Sequence, residues 1–313
     1  MQKETGSHQL RKLLPQVIRL TLVLPFLVAC GMLQPTPTSI PPTPTATGSA
    51  ITLPVEVTKD VAYSTPLQPD VSEQRLDVYA PTEPGAWPVV VFLHGYHEEK
   101  EGHEKLSQAI AEQGAVVFTV DWFVWLPDLA ARENGKGFRE MSETVNCATR
   151  FARATAPDYG GDPARVTLVG FSAGAAMGAS VALAGDHHDR LWEEFTSNQG
   201  GPPPQVGCVV SGGSAHVDAF VGIAGPYSIR RSEAKDQELT AITDVYAHLG
   251  ENPDLKVCLI HGEKDSTVRL EHSVEFNDAL AEAGYDTELI PFDGGHYYPI
   301  QLTVRKVMEL AED

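Results

Sequence analysis

Three residues have the types and the settings needed for nucleophilic catalysis: a serine between glycines, then an aspartate and a histidine, each closing an apolar run. Ser172 stands in Gly170-Phe171-Ser172-Ala173-Gly174, after the apolar stretch 165–169 and before a small-residue stretch, 175–184, that reads as a helix. A serine on so sharp a strand-to-helix turn takes a strained backbone conformation, and its flanking glycines leave room for the turn to close. The hydroxyl is unreactive alone and needs a base that a third group orients. Asp265 is the candidate orienter, in His261-Gly262-Glu263-Lys264-Asp265 after the strand-like run 255–260. His296 is the candidate base, in Phe292-Asp293-Gly294-Gly295-His296, where two glycines free a loop to carry the imidazole back over a sheet. Glu263 and Asp293 also sit at strand ends and compete with Asp265 for the acid role.

Such residues must be held by a scaffold, and the chain alternates between the two kinds of element. Strand-like runs lie near 53–58, 73–80, 88–94, 115–121, 165–170, 218–224, 255–261 and 286–291. Helical patterns lie near 103–113, 138–155, 172–184, 236–249, 270–284 and 297–311. Alternation of this kind builds an α/β domain, here a mainly parallel eight-stranded sheet with helices on both faces and its site at the carboxyl ends of the strands. All three candidates fall at such ends.

The chain order Ser172, Asp265, His296 is that of the α/β-hydrolase fold and differs from the order in the chymotrypsin and subtilisin folds. With Pro88-Val89-Val90-Val91-Phe92-Leu93-His94-Gly95-Tyr96, Asp158-Tyr159-Gly160-Gly161-Asp162-Pro163-Ala164-Arg165-Val166 and Gly222-Ile223-Ala224-Gly225-Pro226-Tyr227 in correct succession, residues 88–300 resemble the α/β-hydrolase superfamily. The nearest branch is that of the carboxylesterases and acetylesterases. The resemblance implies an oxyanion hole from the backbone N–H groups of Ala173 and Tyr96. It also places the acid at Asp265. His94 reads as a structural residue whose ring ties the oxyanion loop down rather than as a catalytic one. One departure stands out: many esterases of the family carry His-Gly-Gly-Gly where this chain has His94-Gly95-Tyr96-His97. That resembles the single-glycine class of oxyanion loop.

The amino terminus carries a second message. Lys3, Arg11, Lys12 and Arg19 form a basic region, and a short apolar stretch, 20–29, leads to Leu27-Val28-Ala29-Cys30. This reads as a secretory signal to be kept out of the fold, and it is short for a membrane span of about 20 residues. Leu-Val-Ala-Cys also looks like a bacterial lipobox, which makes Cys30 the expected lipidation site and a membrane lipid anchor the expected partner. Acyl chains in pairs or threes anchor stably where one is marginal. From Gln34 the chain repeats Pro and Thr and cannot bury a core, so an extended tether is expected, roughly 45 Å long for about fifteen residues at polyproline rise. The expected organisation is a signal peptide over 1–29, a lipidated cysteine and linker over 30–49, and a catalytic domain over 50–313.

The 313 residues carry a formal net charge of −19. Removing residues 1–29 takes away four basic residues and one acidic, leaving 19 Lys+Arg against 41 Asp+Glu and a net charge of −22. So acidic a chain argues against nucleic acid and against anionic membrane surfaces, and leaves uncharged or cationic esters as easier guests. The charge equally serves to keep an exported protein soluble.

Two segments read as site walls. Trp122, Phe123 and Trp125 follow the fourth strand and are candidate substrate-binding residues, with loop packing an equal alternative. Residues 185–214 separate the elbow helix from the next strand, and a loop of that length is usually functional or disordered; a small lid is one reading. Asp186-His187-His188-Asp189 offers imidazole and carboxylate, but adjacent ligands in a loop rarely close a metal shell, so no metal is expected. Cys258, inside a strand, is expected to be a buried thiol. Whether Cys147 and Cys208 pair, which would pin the long segment to a helix, is open at this level. The function these readings favour is an exported, lipid-anchored serine carboxylesterase without a cofactor, acting on a small or polymeric ester. A serine peptidase of the same fold and an inactive solute-binding lipoprotein are the competing readings.

Overall fold

The computed structural model describes residues 52–122, 136–228 and 237–312. Ten strands and seven helices are defined among them. The strands are β1 (Val55–Ala62), β2 (Ser64–Pro66), β3 (Arg75–Pro81), β4 (Trp87–Leu93), β5 (Val116–Val120), β6 (Gly161–Phe171), β7 (Val206–Cys208), β8 (Ala219–Ile223), β9 (Lys256–Gly262) and β10 (Asp286–Phe292). The helices are α1 (Glu104–Ala111), α2 (Lys136–Thr155), α3 (Ala173–Ala184), α4 (His187–Gln199), α5 (Gln237–Thr243), α6 (Glu271–Glu282) and α7 (Ile300–Glu312).

Eight strands form one sheet in the order β1-β3-β5-β4-β6-β8-β9-β10. The pairs β1–β3 and β3–β5 are antiparallel, and every pair from β5 to β10 is parallel. The eight strand-like runs of the sequence are these eight strands. The helical patterns appear as α1, α2, α3, α5, α6 and α7, with the 236–249 pattern broken into α5 and a 3₁₀ turn at Val245–His248.

The sheet is buried on both faces because its central strands are apolar at most successive positions rather than at alternate ones, with only small threonines, Thr119 and Thr167, interrupting β5 and the buried half of β6. Along β4, Val89, Val91 and Leu93 join one core cluster with Met141 and Val145 of α2, Ala175 and Ala179 of α3, and Phe276 and Leu280 of α6. Val90 and Phe92 point the other way, into a second cluster with Leu106 and Ile110 of α1 and Val307 and Met308 of α7. Period-two alternation thus sends one strand's side chains into two cores. Helix α3 is apolar all round and almost wholly buried, as suits a helix against the middle of the sheet.

The segment 185–214 is not the long loop or lid suggested by its composition. It folds into α4 and β7, the latter paired antiparallel with β2 in a separate two-stranded sheet. His188, Trp192 and Phe195 occupy the buried stripe of α4 at helical spacing, and Gly200 ends the helix in the left-handed conformation. The Trp192 indole donates to Ser142 Oγ of α2 at 2.9 Å. Glu143 of the same helix accepts the Gln205 and Val206 amides at 2.8 and 3.0 Å. A disulfide between Cys147 of α2 and Cys208 of β7 completes the attachment. The segment is a fixed flank of α2.

Candidate active site

Ser172 links β6 to α3 with φ +53° and ψ −117°. A non-glycine residue there is strained, and such strain persists only where the surroundings over-determine it. Those surroundings are visible. The Ser172 amide donates to the Ile223 carbonyl of β8 at 2.7 Å. A Cβ on Gly170 would stand 2.3 Å from the Gly174 carbonyl oxygen, and one on Gly174 would stand 2.5 Å from the carbonyl oxygens of Leu93 and His94. Only glycine permits either approach, so the side chain of Ser172 is driven to the carboxyl edge of the sheet.

Asp265 follows β9. Its Oδ1 accepts the amides of Thr267 and Val268 at 2.8 and 2.9 Å, which fixes the carboxylate plane. Oδ2 faces His296 Nδ1 at 2.7 Å, and His296 Nε2 lies 2.9 Å from Ser172 Oγ. Acid, imidazole and hydroxyl therefore form one hydrogen-bonded chain, with the Asp265 side chain inaccessible to solvent. Burial pushes the Asp265 carboxyl up, but bonds from His296 and from the Val268 and Thr267 amides outweigh it, and the group lies below the usual carboxylate value. With Nδ1 bonded to that carboxylate, Nε2 is the ring nitrogen directed at the Ser172 hydroxyl. The loop carrying His296 is clamped to the β9 turn: the amides of Glu263 and Lys264 donate to Phe292 and Gly294 at 2.9 and 2.8 Å. A Cβ on Gly262 would stand 2.1 Å from the Gly295 carbonyl oxygen. Of the competing acids, Asp293 pairs with Lys264 in solvent and Glu263 is exposed.

The peptides after β4 run beside Ser172. A Cβ on Gly95 would stand 3.2 Å from Ser172 Cβ and 2.7 Å from Glu98 Oε2. The His94 ring donates from Nδ1 to the Gly95 carbonyl at 2.8 Å, and burial lowers its pKa to about 4, so the ring is neutral around pH 7. Because C=O and N–H point in opposite directions across a trans peptide, this bond sets the direction of the Tyr96 N–H. Ala173 opens α3, where the first amides of a helix lack intrahelical acceptors and carry the positive end of the dipole. The two amides expected to form an oxyanion hole thus lie on the elbow and on the loop that touches it.

Trp122 is placed differently from a pocket wall. It is buried at 4% exposure in the core, and its indole donates to the His94 carbonyl at 3.1 Å, so it packs beneath the loop. Phe123 and Trp125 lie outside the described residues, as do Cys30 and the linker. Residues not singled out from the sequence also bear on the site: Glu98 Oε2 accepts the Gly95 amide at 2.8 Å and sits 3.2 Å from His103 Nε2, while His103 Nδ1 meets the Tyr298 hydroxyl at 2.6 Å. No adjacent spacing marks them, since His103 and Tyr298 come from opposite ends of the domain. Among the described residues no group of three or more His, Cys, Asp or Glu is arranged to hold a metal ion. The imidazoles of Asp186-His187-His188-Asp189 go elsewhere: His188 to the Ile242 carbonyl at 3.0 Å, and His187 to Glu251 at 2.8 Å.

A mainly parallel sheet with this strand order, and a serine elbow at its centre, define an α/β-hydrolase fold. The chain belongs to the BD-FAE family, whose sequence model matches residues 76–280. It is similar to a probable isoprenylcysteine alpha-carbonyl methylesterase of Oryza sativa subsp. japonica, 27% identical over 267 residues, covering 76% of this chain and 56% of the relative. An isoprenylcysteine alpha-carbonyl methylesterase of Arabidopsis thaliana is 23% identical over 267 residues, with the same 76% and 56% coverage. The chain spans a little over half the length of these relatives. Among solved structures, an esterase of the Planctomycetes species Thermogutta terrifontis superposes with TM-score 0.55 at 21% identity, covering 80% of this chain and 90% of that one. An acetyl ester-xyloside bifunctional hydrolase from Caldicellulosiruptor lactoaceticus gives TM-score 0.59 at 19% identity, covering 81% and 95%. Likeness at these identities speaks to the fold.

Proposed function

We propose that the chain is a serine-dependent carboxylic ester hydrolase, and the observation that carries the reading is the unbroken hydrogen-bond chain Ser172–His296–Asp265. Ser172 Oγ attacks the ester carbonyl carbon while His296 Nε2 takes its proton. The oxyanion is met by the amides of Ala173 and Tyr96, donors of a kind worth roughly 3–4 kcal/mol each because they need not reorient as charge develops. The imidazolium, held by Asp265, gives its proton to the departing alkoxide, which leaves as alcohol. Water then attacks the acyl-enzyme with His296 as base, releasing the carboxylic acid and restoring Ser172. The names of the relatives, methylesterases and an acetyl ester hydrolase, support a substrate with a small acyl or alkoxy group.

The same proposal extends to the chain's address. Residues 1–29 direct export, Cys30 carries the lipid, and residues 30–49 hold the hydrolase domain outside the cytoplasm. The Cys147–Cys208 disulfide supports an oxidising compartment. Hydrolysis of p-nitrophenyl esters from acetate to laurate, with Ser172→Ala beside the wild type, tests the chemistry: activity lost in the variant is expected, and equal turnover by both would end the serine reading. Fatty-acid labelling that is absent from wild type, or that survives in Cys30→Ser, would end the anchor.

A further inference from the structure

We propose that Glu98 is a positioning residue for ester hydrolysis: it holds the Gly95 amide on one side and reaches the His296 loop through His103 and Tyr298 on the other, setting oxyanion loop and base loop relative to each other. The inference rests on the Ser172 ester-hydrolase reading and deepens it.

The loop after β4 turns back at His97, whose φ is +59°, and that reversal brings the Glu98 carboxylate onto the Gly95 amide. The His94–Gly95 peptide is then pinned at both ends, its carbonyl by the Trp122 indole at 3.1 Å and its N–H by Glu98 at 2.8 Å. The next peptide, which supplies the Tyr96 N–H, can turn only about the Gly95 Cα that this pinning holds in place. Glycine resists such rotation least of all residues, so outside restraint is what orients the donor: the His94 ring holds the Gly95 carbonyl at 2.8 Å, and Glu98 holds the amide on the other side of the same Cα.

The second half of the argument follows from hydrogen-bond capacity. An ionised carboxylate only accepts, so His103 donates from Nε2 to Glu98 Oε2, while its Nδ1 is bonded to the Tyr298 hydroxyl. The result is a second acid–imidazole–hydroxyl chain beside the first. Tyr298 is two residues beyond His296. Phe171, which precedes Ser172, packs against the rings of His296, Tyr298 and His103 at 5.0, 5.1 and 6.1 Å. The elbow, the oxyanion loop and the base loop therefore meet around one cluster, and Glu98 supplies its charge. Burial opposes ionisation of Glu98, but the bonds from His103, from the Gly95 amide and from Tyr297 hold its carboxyl below the usual value, so at neutral pH it is present as the acceptor. Hydrogen-bond networks of this kind lose more on deletion than their pairs suggest.

The test uses the full chain with Glu98→Gln, Tyr298→Phe, the double variant, and Glu99→Gln as an exposed neighbour. For p-nitrophenyl butyrate, kcat for Glu98→Gln should fall on the order of tenfold with KM within about twofold, less than the roughly 100- to 1,000-fold loss on deleting an oxyanion donor outright. Fluorophosphonate labelling of Ser172 should slow in step, since its phosphoryl oxygen takes the oxyanion position. Tyr298→Phe should show a smaller loss of the same kind, and the double variant should lose less than the product of the two, as members of one network do. Glu99→Gln should match the wild type. Should Glu98→Gln not fold, Tyr298→Phe, which deletes one oxygen, carries the kcat and labelling test by itself. Full kcat in both single variants, a rise in KM alone, or multiplicative losses in the double variant overturn the positioning role while leaving Ser172 hydrolysis standing. A wild type with no Ser172-dependent turnover overturns both.

Discussion

Gly174→Ala isolates what the elbow contributes to chemistry. Gly174 is where α3 comes closest to the end of β4: an added Cβ would stand 2.5 Å from the carbonyl oxygens of both Leu93 and His94 and 2.9 Å from the Leu93 carbonyl carbon. Ordinary contact begins at 3.4 Å, so helix and strand must part by about 0.9 Å, the difference between 3.4 and 2.5 Å. The obstructing atoms are backbone and cannot swing aside. The two proposed oxyanion donors ride on the two parts being separated, Ala173 on α3 and Tyr96 on the loop after β4. A misplacement of about 1 Å costs on the order of 100-fold in rate, and that is the expected fall in kcat, in a protein that still folds. Gly178→Ala, one turn along the same helix, is the internal comparison. Its Cβ would meet the Phe220 ring at 3.1 Å and Leu93 Cδ1 at 3.4 Å, both side-chain atoms able to yield. Alanine is favoured over glycine inside a helix by roughly 0.5–1 kcal/mol, so this variant should keep its activity and melt no lower. Steady-state kinetics on a p-nitrophenyl ester, normalised to the fraction of serine titrated, together with thermal melts of both variants, decide the matter. If Gly174→Ala stays within about threefold of wild type, or Gly178→Ala is equally damaged, close approach at the elbow is not what places the donors.

Two further outcomes are expected. The Cys147–Cys208 disulfide spans 61 residues of sequence, and loop-closure entropy for that separation comes to about 4 kcal/mol. Reduction, or Cys147→Ser with Cys208→Ser, should lower the melting temperature by roughly 10 °C; a change inside the error of the melt would mean that Glu143 and Trp192 hold α4 and β7 unaided. Burial lowers the pKa of both His94 and His188 to about 4, below the unfolded value near 6.5. The unfolded chain therefore takes up these protons first, and the stability they contribute is complete above about pH 6.5 and lost as pH falls toward 4. Melting temperature should decline across that window, and a decline unaltered in His188→Gln would show that other groups set it.

The residues that were legible from the chain are those whose signal is local. The elbow declares itself within five residues, because the same strain that requires Gly170 and Gly174 is what exposes Ser172. The central strands are plain because both of their faces are buried, so each reads as a largely apolar run. Asp265 was harder to separate from Glu263 and Asp293, since all three end a strand; what distinguishes it is that its carboxylate is sealed between the Thr267 and Val268 amides and His296. Helix α4 is hard to read from the chain because Asp, Glu and Arg crowd its exposed side, although His188, Trp192 and Phe195 mark its inner stripe. β2 and β7, at three residues each, are too short to carry a period. Trp122 was open to two readings because an aromatic just past a strand end can face either solvent or core, and the His94 carbonyl above it decides in favour of the core. The Glu98–His103–Tyr298 contacts join residues 195 positions apart, a distance across which no spacing rule reaches.

The order of the sheet divides the proposed machinery in a way that invites dissection. Ser172 and the two proposed oxyanion amides follow β6 and β4 in the middle of the sheet, whereas His296 hangs from β10, an edge strand whose sole neighbour in the sheet, among the described residues, is β9. A polypeptide ending before Asp286 would keep nucleophile, donors and acid in one piece and lack the base, together with Tyr298 and the core side chains of α7. The remaining stretch, β10 with α7, would bring that base as a separable part. The molecule is in this sense already cut for complementation: turnover in a mixture of the two pieces would count how often the last strand docks.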